Sequence, residues 1–278
     1  MRVGRIPYIN CYPVYGAIDR RIVSLDAEIV DGLPTALNNA MALGGLDVSV
    51  ISAVEYARDA ARYLLLPDLA ISCDGPVRSV MLFSRRPAEQ LAGGRVLVSR
   101  SSMTSVALLR LMFEHVWRSS PAFVPSDAEI ADLARTGAEP HDARLIIGDA
   151  ALMLSSGTSE LAADYPHVYD LGSVWKDWTG LPFVFAVWVA QRTTPVAGAL
   201  GLHAQLIESR DWGLSHLEEL AGQAALATGV SQPAALEYLS GLDYGLRYEH
   251  LAGLTTFFGK LAASGRVPNG SLAFLPAA

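Results

Sequence analysis

Small hydroxyl residues cluster between a strand pattern and a helix pattern in this sequence. Residues 99–105 read SRSSMTS; they follow an apolar run at 95–98 and precede a helical pattern that continues to residue 117. Such a loop offers backbone N–H groups, hydroxyl donors and the positive end of a helix dipole, which suit a carboxylate or a phosphate. The residues predicted to bind this anion are Ser101, Ser102, Met103, Thr104 and Ser105. An ordinary helix N-cap is the alternative, and the loop alone does not decide between the two.

The elements around this hydroxyl loop (residues 99–105) alternate between strands and helices. Apolar runs predict strands at 3–6, 28–30, 48–51, 64–66, 70–73 and 77–83, with helices at 33–45 and 54–60. The pattern restarts near residue 89, with strands at 95–98, 122–124 and 144–147 and helices at 102–117, 127–135 and from 148. After residue 195 the remaining segments look helical. This order predicts parallel strands with covering helices.

Two such β-α-β sets in tandem predict an α/β fold with two lobes. We expect lobe one to contain residues 1–88 and 186–278, and lobe two residues 89–185, because the apolar strand at 183–192 returns to the first lobe. Ligands of open α/β sheets bind at the carboxyl ends of strands. The residues expected there, besides the hydroxyl loop, are Tyr8, Ile9, Asn10, Ser52, Ala53, Arg78, Ser79, Gly148 and Asp149. The sequence therefore predicts one cleft between two lobes joined by short hinges.

The composition of the chain limits the classes of binding partner and cofactor that it can be expected to have. The 278 residues carry a net charge of −7 and are 51% hydrophobic, which supports a large core and argues against nucleic acid as a partner. Neither a signal peptide nor a membrane-spanning run is recognised, so we expect a cytoplasmic protein that does not bind membranes. Cys11 and Cys73 are expected to be buried thiols. No P-loop, metal-ligand pair or dinucleotide motif lies next to a strand, so no metal and no cofactor are expected. The oligomeric state stays open, with a homodimer as one alternative.

Five separated blocks of the sequence match one known family in the expected order. The blocks are GRIPYINCYPVY, GLDVSVISAVEYA, LPDLAISCDGPVRSVMLFS, LIIGDAAL and DLGSVWKDWTGLPFVFAVW. They resemble the chorismate dehydratases of the futalosine route to menaquinone. The resemblance runs from Arg2 to about Arg192 and more loosely into the helical tail. It implies a fold like that of the type II periplasmic solute-binding proteins, with mixed sheets, a ligand cleft between the lobes and a helical C-terminal segment. This agrees with the two lobes predicted above.

The resemblance implies a reaction in which chorismate loses water to give 3-[(1-carboxyvinyl)oxy]benzoate. Chorismate is a dianion with a ring carboxylate and an enolpyruvyl carboxylate. The proton that is lost lies on the ring carbon that carries the enolpyruvyl ether, and the neighbouring hydroxyl departs. Because the ring becomes aromatic, an enzyme needs mainly to position the substrate and move one proton.

Asn10 and Ser79 are the polar residues of the matching blocks that we expect to be catalytic. Since an amide and a hydroxyl are weak bases, the hypothesis is that the enolpyruvyl carboxylate of the substrate takes the proton. Asn10 would orient the ring or the leaving hydroxyl, and Ser79 would bond near the moving proton or the ether. Asp149 is the alternative base, although a first-turn helix acid explains it equally well and a carboxylate repels a dianion unless its pKa is raised. The other expected substrate contacts are Tyr8, Ile9 and Phe183 against the ring, and Ser52, Ala53, Arg78 and Gly148 around the carboxylates.

Three other functions fit parts of the pattern. A non-catalytic solute-binding protein for a small carboxylate would share the fold, and the missing secretion signal argues against it. A ligand-sensing regulatory domain would need a helix-turn-helix segment, whereas this chain begins with a strand. A related enzyme that makes dihydroxynaphthoate resembles the segment 145–150 but carries a catalytic histidine where this chain has Gly148. Incubation with chorismate separates these alternatives, because binding without turnover would favour the solute-binding function.

Overall fold

The computed structural model describes residues 1–100, 102–126, 139–156, 164–268 and 270–276. Its strands are β1 (Arg2–Arg5), β2 (Glu28–Asp31), β3 (Val48–Ser52), β4 (Tyr63–Cys73), β5 (Val80–Ser84), β6 (Arg95–Ser99), β7 (Ala122–Ser126), β8 (Ala143–Ile147), β9 (His167–Asp170) and β10 (Phe183–Gln191). Its α-helices are α1 (Tyr12–Asp19), α2 (Pro34–Ala42), α3 (Ala53–Arg58), α4 (Met103–His115), α5 (Gly148–Ser155), α6 (Leu171–Thr179), α7 (Val196–Ser215), α8 (Leu217–Thr228), α9 (Gln232–Ser240) and α10 (Tyr248–Ala263). Short 3₁₀ helices lie at Ile9–Cys11 and Ala88–Gln90.

The strands form two five-stranded mixed sheets, with the orders β2-β1-β3-β10-β4 and β7-β6-β8-β5-β9. In the first sheet β1 pairs parallel with β2 and β3, whereas β10 runs antiparallel to β3 and β4. In the second sheet β6 pairs parallel with β7 and β8, whereas β5 runs antiparallel to β8 and β9. The predicted α/β architecture with two mixed sheets is confirmed.

The chain changes sheets earlier than the sequence predicts. The prediction that residues 77–83 belong with the first lobe is wrong for β5, which pairs with β8 and β9 in the second sheet. Likewise β10 begins in the first sheet at Phe183, before the predicted boundary at residue 185. A strand buried on both faces has the same apolar composition in either sheet, so hydropathy does not assign it. The first crossing thus lies at residues 74–79 and the second crossing at 180–182.

One further strand prediction differs from the structure, and one helix prediction falls on residues that the structure does not describe. The strands predicted at 64–66 and 70–73 are one strand, β4, which is interrupted by register shifts against β10 and by a positive φ of 51° at Asp68. Pro67 and Asp68 are poor strand formers, which explains why the sequence pattern breaks there although the strand continues. The helix predicted at 127–135 lies outside the described residues.

The core joins the C-terminal helices to the first sheet. β10 is buried along its whole length, and Phe183 packs edge-on against Trp175 of α6 and Phe257 of α10, with ring centroids 5.1 and 4.9 Å away. Edge-to-face aromatic pairs of this kind add about 0.5–1.5 kcal/mol beyond their buried area. Cys11 and Cys73 are buried free thiols. Among the described helices, none has the length and apolar composition that crossing a bilayer requires.

Candidate active site

A cleft with about 630 Å³ of empty space, part of it open solvent, lies between the two sheets. The carboxyl ends of β1, β3, β6 and β8 reach it, and so do the amino ends of the antiparallel strands β5 and β10. Many of the predicted site residues line it together: Tyr8, Asn10, Ser52, Ser79, Ser102, Met103, Thr104, Ser105 and Gly148. These residues come from five segments that are far apart in the sequence, and the fold brings them to one cavity.

The apolar part of the lining is where the sequence was least informative. The residues that it did not indicate are Ile6, Pro34, Ile71, Val77, Val80, Ile147, Phe185 and Ala186. Phe183, which the sequence placed against the ring, is instead 1% exposed within the aromatic core, whereas Phe185 reaches the cleft and is 9% exposed. A register shift in β10 between Val184 and Ala186 accompanies this difference. Shifts of this kind change the direction of side chains and leave no signal in hydropathy.

Asn10 lies in the 3₁₀ helix after β1, in the wall of the cleft. Its side-chain oxygen Oδ1 is buried and has no hydrogen-bond partner among the described residues. Leaving a buried acceptor unsatisfied costs about 1–3 kcal/mol. A ligand that donates a hydrogen bond at this position would therefore gain affinity from Asn10.

Asp149 does not line the cleft; it contacts the other lobe instead. Its Oδ1 accepts a hydrogen bond from the backbone N–H of Ile9 at 3.3 Å, so the carboxyl group of α5 meets the 3₁₀ helix that carries Asn10. Burial raises the pKa of Asp149 to about 6. Ile9 itself is fully buried and is also absent from the lining. Both residues were expected to contact the substrate, and the structure places both behind the cleft wall, at the contact between the lobes.

Ser79 ends the first crossing in a tight turn. Its N–H donates to the carbonyl oxygen of Val77 at 2.7 Å, and the central residue, Arg78, has a φ of 59°. This three-residue turn with a positive φ is rare and strained, and such strain persists where the surroundings fix the backbone. Here the carboxylate of Asp170 accepts from the N–H groups of Val77 and Arg78, and the N–H of Gly148 donates to the carbonyl oxygen of Ser79 at 2.7 Å. The Ser79 hydroxyl is thereby held at the cleft.

The side chain of Arg78 points away from the cleft, in contrast to the prediction that it binds substrate. Its Nη2 lies 2.5 Å from Oε1 of Glu237 in α9, and its Nη1 donates to the Glu237 carbonyl oxygen. The lining does not include Arg78. The turn at 77–79 sends this side chain and that of Ser79 in different directions, much as strand neighbours point to opposite faces.

The hydroxyl loop contributes oxygens that already accept hydrogen bonds from the protein. Ser102 caps α4 by accepting from the N–H of Ser105 at 3.3 Å. Thr104 Oγ1 accepts from the N–H of Val54 in the first lobe at 3.1 Å. In both hydrogen bonds the hydroxyl oxygen is the acceptor, so neither bond uses the hydroxyl proton. That proton is available for an anion in the cleft. Ser101 lies outside the described residues.

Ser52 is the corresponding hydroxyl of the first lobe. Its Oγ accepts from the N–H of Glu55 and from Nδ2 of Asn38, both at 3.1 Å. Because both lone pairs of this oxygen already accept hydrogen bonds, the hydroxyl can interact further only by donating its proton. Ser52 lines the cleft, so a ligand there can accept that proton in a hydrogen bond. Asn38, which the sequence analysis did not single out, also contacts the sulfur of Met103 at 3.2 Å across the lobes. Ala53, a predicted contact, is fully buried and absent from the lining.

The described lining of the cleft contains no aspartate, glutamate, histidine, lysine or arginine. An anion in this cavity would thus be held by hydroxyl groups, amides and backbone N–H groups rather than by opposite charge. It would also meet no strong protein base among these residues. Across the part of the chain that the structure covers, no group of three histidine, cysteine, aspartate or glutamate side chains is placed to bind a metal.

A family model described as menaquinone biosynthesis matches residues 1–263. This chain belongs to that family. A chorismate dehydratase from Thermus thermophilus is 30% identical over 264 residues, which cover 90% of this chain and 94% of the relative. A chorismate dehydratase from Campylobacter jejuni is 27% identical over 190 residues, or 67% of this chain and 66% of the relative. The family resemblance carried by the five sequence blocks is confirmed.

Solved structures show the same fold. A crystal structure of a protein from Archaeoglobus fulgidus gives a TM-score of 0.76 at 20% identity, covering 96% of this chain and 98% of that one. The alkanesulfonate-binding protein SsuA from Xanthomonas axonopodis pv. citri gives a TM-score of 0.69 at 13% identity, covering 97% of this chain and 94% of that one. This chain thus has a periplasmic-binding-protein-like fold, as predicted.

Proposed function

We propose that this protein is a chorismate dehydratase that converts chorismate to 3-[(1-carboxyvinyl)oxy]benzoate and water. One observation carries the proposal: in a member of the menaquinone biosynthesis family, the described cleft lining offers hydroxyl, amide and apolar groups but no carboxylate, imidazole or amine that could act as a base. A reaction suited to such a lining must bring its own base. Chorismate does so, because it carries two carboxylates.

The two carboxylates of the substrate are held from opposite lobes. One is bound by the hydroxyl protons of Ser102 and Thr104 and by the backbone N–H groups at the start of α4, where the helix dipole favours an anion. The other accepts a hydrogen bond from the Ser52 hydroxyl. The apolar part of the lining, which includes Ile71, Val77 and Phe185, packs against the ring. What supports this orientation is that the described lining contains hydroxyl groups from both lobes together with apolar side chains.

The chemical step moves one proton and breaks one C–O bond. The enolpyruvyl carboxylate takes the proton from the ring carbon that bears the ether, the electron pair of that C–H bond enters the ring system, and the neighbouring hydroxyl leaves. The carboxylic acid formed in this way gives its proton to the departing hydroxyl, so the C–O bond breaks with loss of water and the carboxylate is regenerated. Ser79 donates a hydrogen bond to the carboxylate or the ether, and the Oδ1 atom of Asn10 accepts from the substrate hydroxyl and fixes the ring. Positioning of this kind supplies much of the rate in intramolecular reactions.

Incubation of the purified protein with chorismate tests the proposal. We expect a product lighter by one water, detected by mass spectrometry, at a rate that a protein-free control does not reach. A rise in melting temperature with chorismate but without product would contradict it and favour the solute-binding function. In this proposal the protein is a hydro-lyase that acts in the cytoplasm on a small dicarboxylate, and size-exclusion chromatography tests whether it is a homodimer.

A further inference from the structure

Helix α9 contacts the first crossing through two consecutive residues. Glu237 pairs with Arg78, as described above, and the next residue, Tyr238, bonds to Ser79. The distance from Tyr238 Oη to Ser79 Oγ is 2.9 Å, and Tyr238 is 2% exposed. Thus a helix from the C-terminal segment, 159 residues away in sequence, contacts the side chain that we place at the chemical step.

We infer that Tyr238 is a positioning residue, which donates a hydrogen bond to Ser79 Oγ and thereby directs the Ser79 proton into the cleft. The inference rests on the proposed function. Tyr238 does not line the cleft, so it acts on the substrate only through Ser79.

The direction of the hydrogen bond follows from where each proton can go. If Ser79 donated to Tyr238, the phenol proton would be left without an acceptor inside the core, which is unfavourable. If Tyr238 donates to Ser79, the phenol is satisfied and the serine proton faces a cavity where an anion binds. A serine side chain has three staggered rotamers, and this bond selects among them.

A proton-transfer role for Tyr238 itself is disfavoured by its surroundings. Burial raises the pKa of Tyr238 well above its ordinary value, and the charge of Asp149 acts in the same direction. The phenol therefore stays protonated at neutral pH. A fixed donor is what orienting a neighbouring hydroxyl requires.

The variant Tyr238→Phe tests the inference because it removes one oxygen and keeps the ring. We expect kcat with chorismate to fall about tenfold while KM stays within about twofold, because the bond acts on orientation rather than on affinity. The matched control is Tyr244→Phe: Tyr244 is equally buried, and its hydroxyl has no partner among the described residues. Its kcat should match wild type, and both variants should unfold cooperatively within about 4 °C of wild type.

A double-mutant cycle separates positioning from general packing. In a Ser79→Ala background, adding Tyr238→Phe should change kcat by less than about twofold, since the hydroxyl that Tyr238 orients is gone. The Ser79→Ala variant should also be stabilised by the second substitution, because the orphaned phenol is removed; this readout needs no turnover.

The outcomes are distinct for the two proposals. Wild-type kcat in Tyr238→Phe, or an equal loss in both backgrounds, would overturn the positioning role and leave the dehydratase proposal standing. A wild-type protein that does not dehydrate chorismate would overturn the proposed function and this inference with it.

Discussion

Thr104 in the second lobe and Val54 in the first are joined by a hydrogen bond of 3.1 Å across the cleft, from the Val54 N–H to the Thr104 hydroxyl oxygen. The same hydroxyl lines the cleft and retains a proton for an anion. Substrate binding and contact between the lobes therefore share one side chain.

The variant Thr104→Val should show this double role. It keeps the shape of the side chain but removes the acceptor for Val54 and the donor for the substrate, so we expect KM for chorismate to rise about fivefold or more. Steady-state kinetics measures the effect. Thr255→Val is the control, because Thr255 is exposed on α10. An unchanged KM in Thr104→Val would show that this hydroxyl does not bind the substrate.

Asn10→Ala and Ser79→Ala should each lower kcat by about 10²-fold or more, the range found when a catalytic hydrogen-bonding group is removed. The buried Oδ1 of Asn10 has no described partner, so its loss should not destabilise the protein, and melting temperatures check this. Asn39→Ala serves as the control, since Asn39 is exposed on α2. Near-normal turnover in both site variants would refute their catalytic assignment.

Asp149→Asn should distinguish a contact between the lobes from a catalytic base. An asparagine side chain can still accept from the Ile9 N–H through its oxygen, so kcat should stay within about threefold of wild type. A loss of about 10³-fold or more would instead identify Asp149 as the base.

The stability of the protein should also depend on pH through Asp149. Its pKa is about 6 in the folded protein and near 4 in an unfolded chain. Between these values the folded state binds more protons, so the free energy of unfolding falls as pH rises from about 4 to about 6 and then levels off. Asp149→Asn lacks this loss and should be more stable than wild type by roughly 2–3 kcal/mol above pH 6. Urea unfolding of both proteins across this pH range measures the difference; parallel curves would contradict it.

Arg78→Gln should leave KM for chorismate within about twofold of wild type, because the guanidinium pairs with Glu237 and does not reach the cleft. The left-handed backbone at Arg78 is unchanged by this substitution, so the turn that carries Ser79 keeps its strain. Arg78→Lys is the matched control for charge. If only the lysine variant kept a normal KM, the positive charge would act on the substrate after all.

The sequence predicted those site residues that lie at the ends of parallel strands. Asn10, Ser52, Thr104 and Gly148 lie at the end of a strand or within five residues after it, and the carboxyl ends of such strands meet at one edge. Gly148 has a φ of 65°, and a Cβ there would lie 3.2 Å from the Tyr8 ring, so a glycine at this turn also fits the local geometry.

Other features depend on packing that hydropathy does not encode. Hydropathy assigns β5 to the wrong sheet, because a buried strand has the same composition in either sheet. It also does not show that Phe185 rather than Phe183 reaches the cleft, because a register shift has no sequence signature. The sequence does not indicate Asn38 or Tyr238, because these helix residues lie 14 and 159 residues from the hydroxyls that they bond. Their roles exist only once the tertiary structure has formed.

β10 lies between β3 and β4 although the whole second lobe is synthesised before it. Until β10 is synthesised, the edges of β3 and β4 that pair with it have no partner strand. Exposed sheet edges are templates for pairing with other chains. Such long-range closure is slow to form and exposes the chain to aggregation in the meantime. The strand that completes the first sheet and helix α9, whose Tyr238 bonds to Ser79, are both synthesised after the second lobe. A chain truncated before residue 183 would therefore lack both.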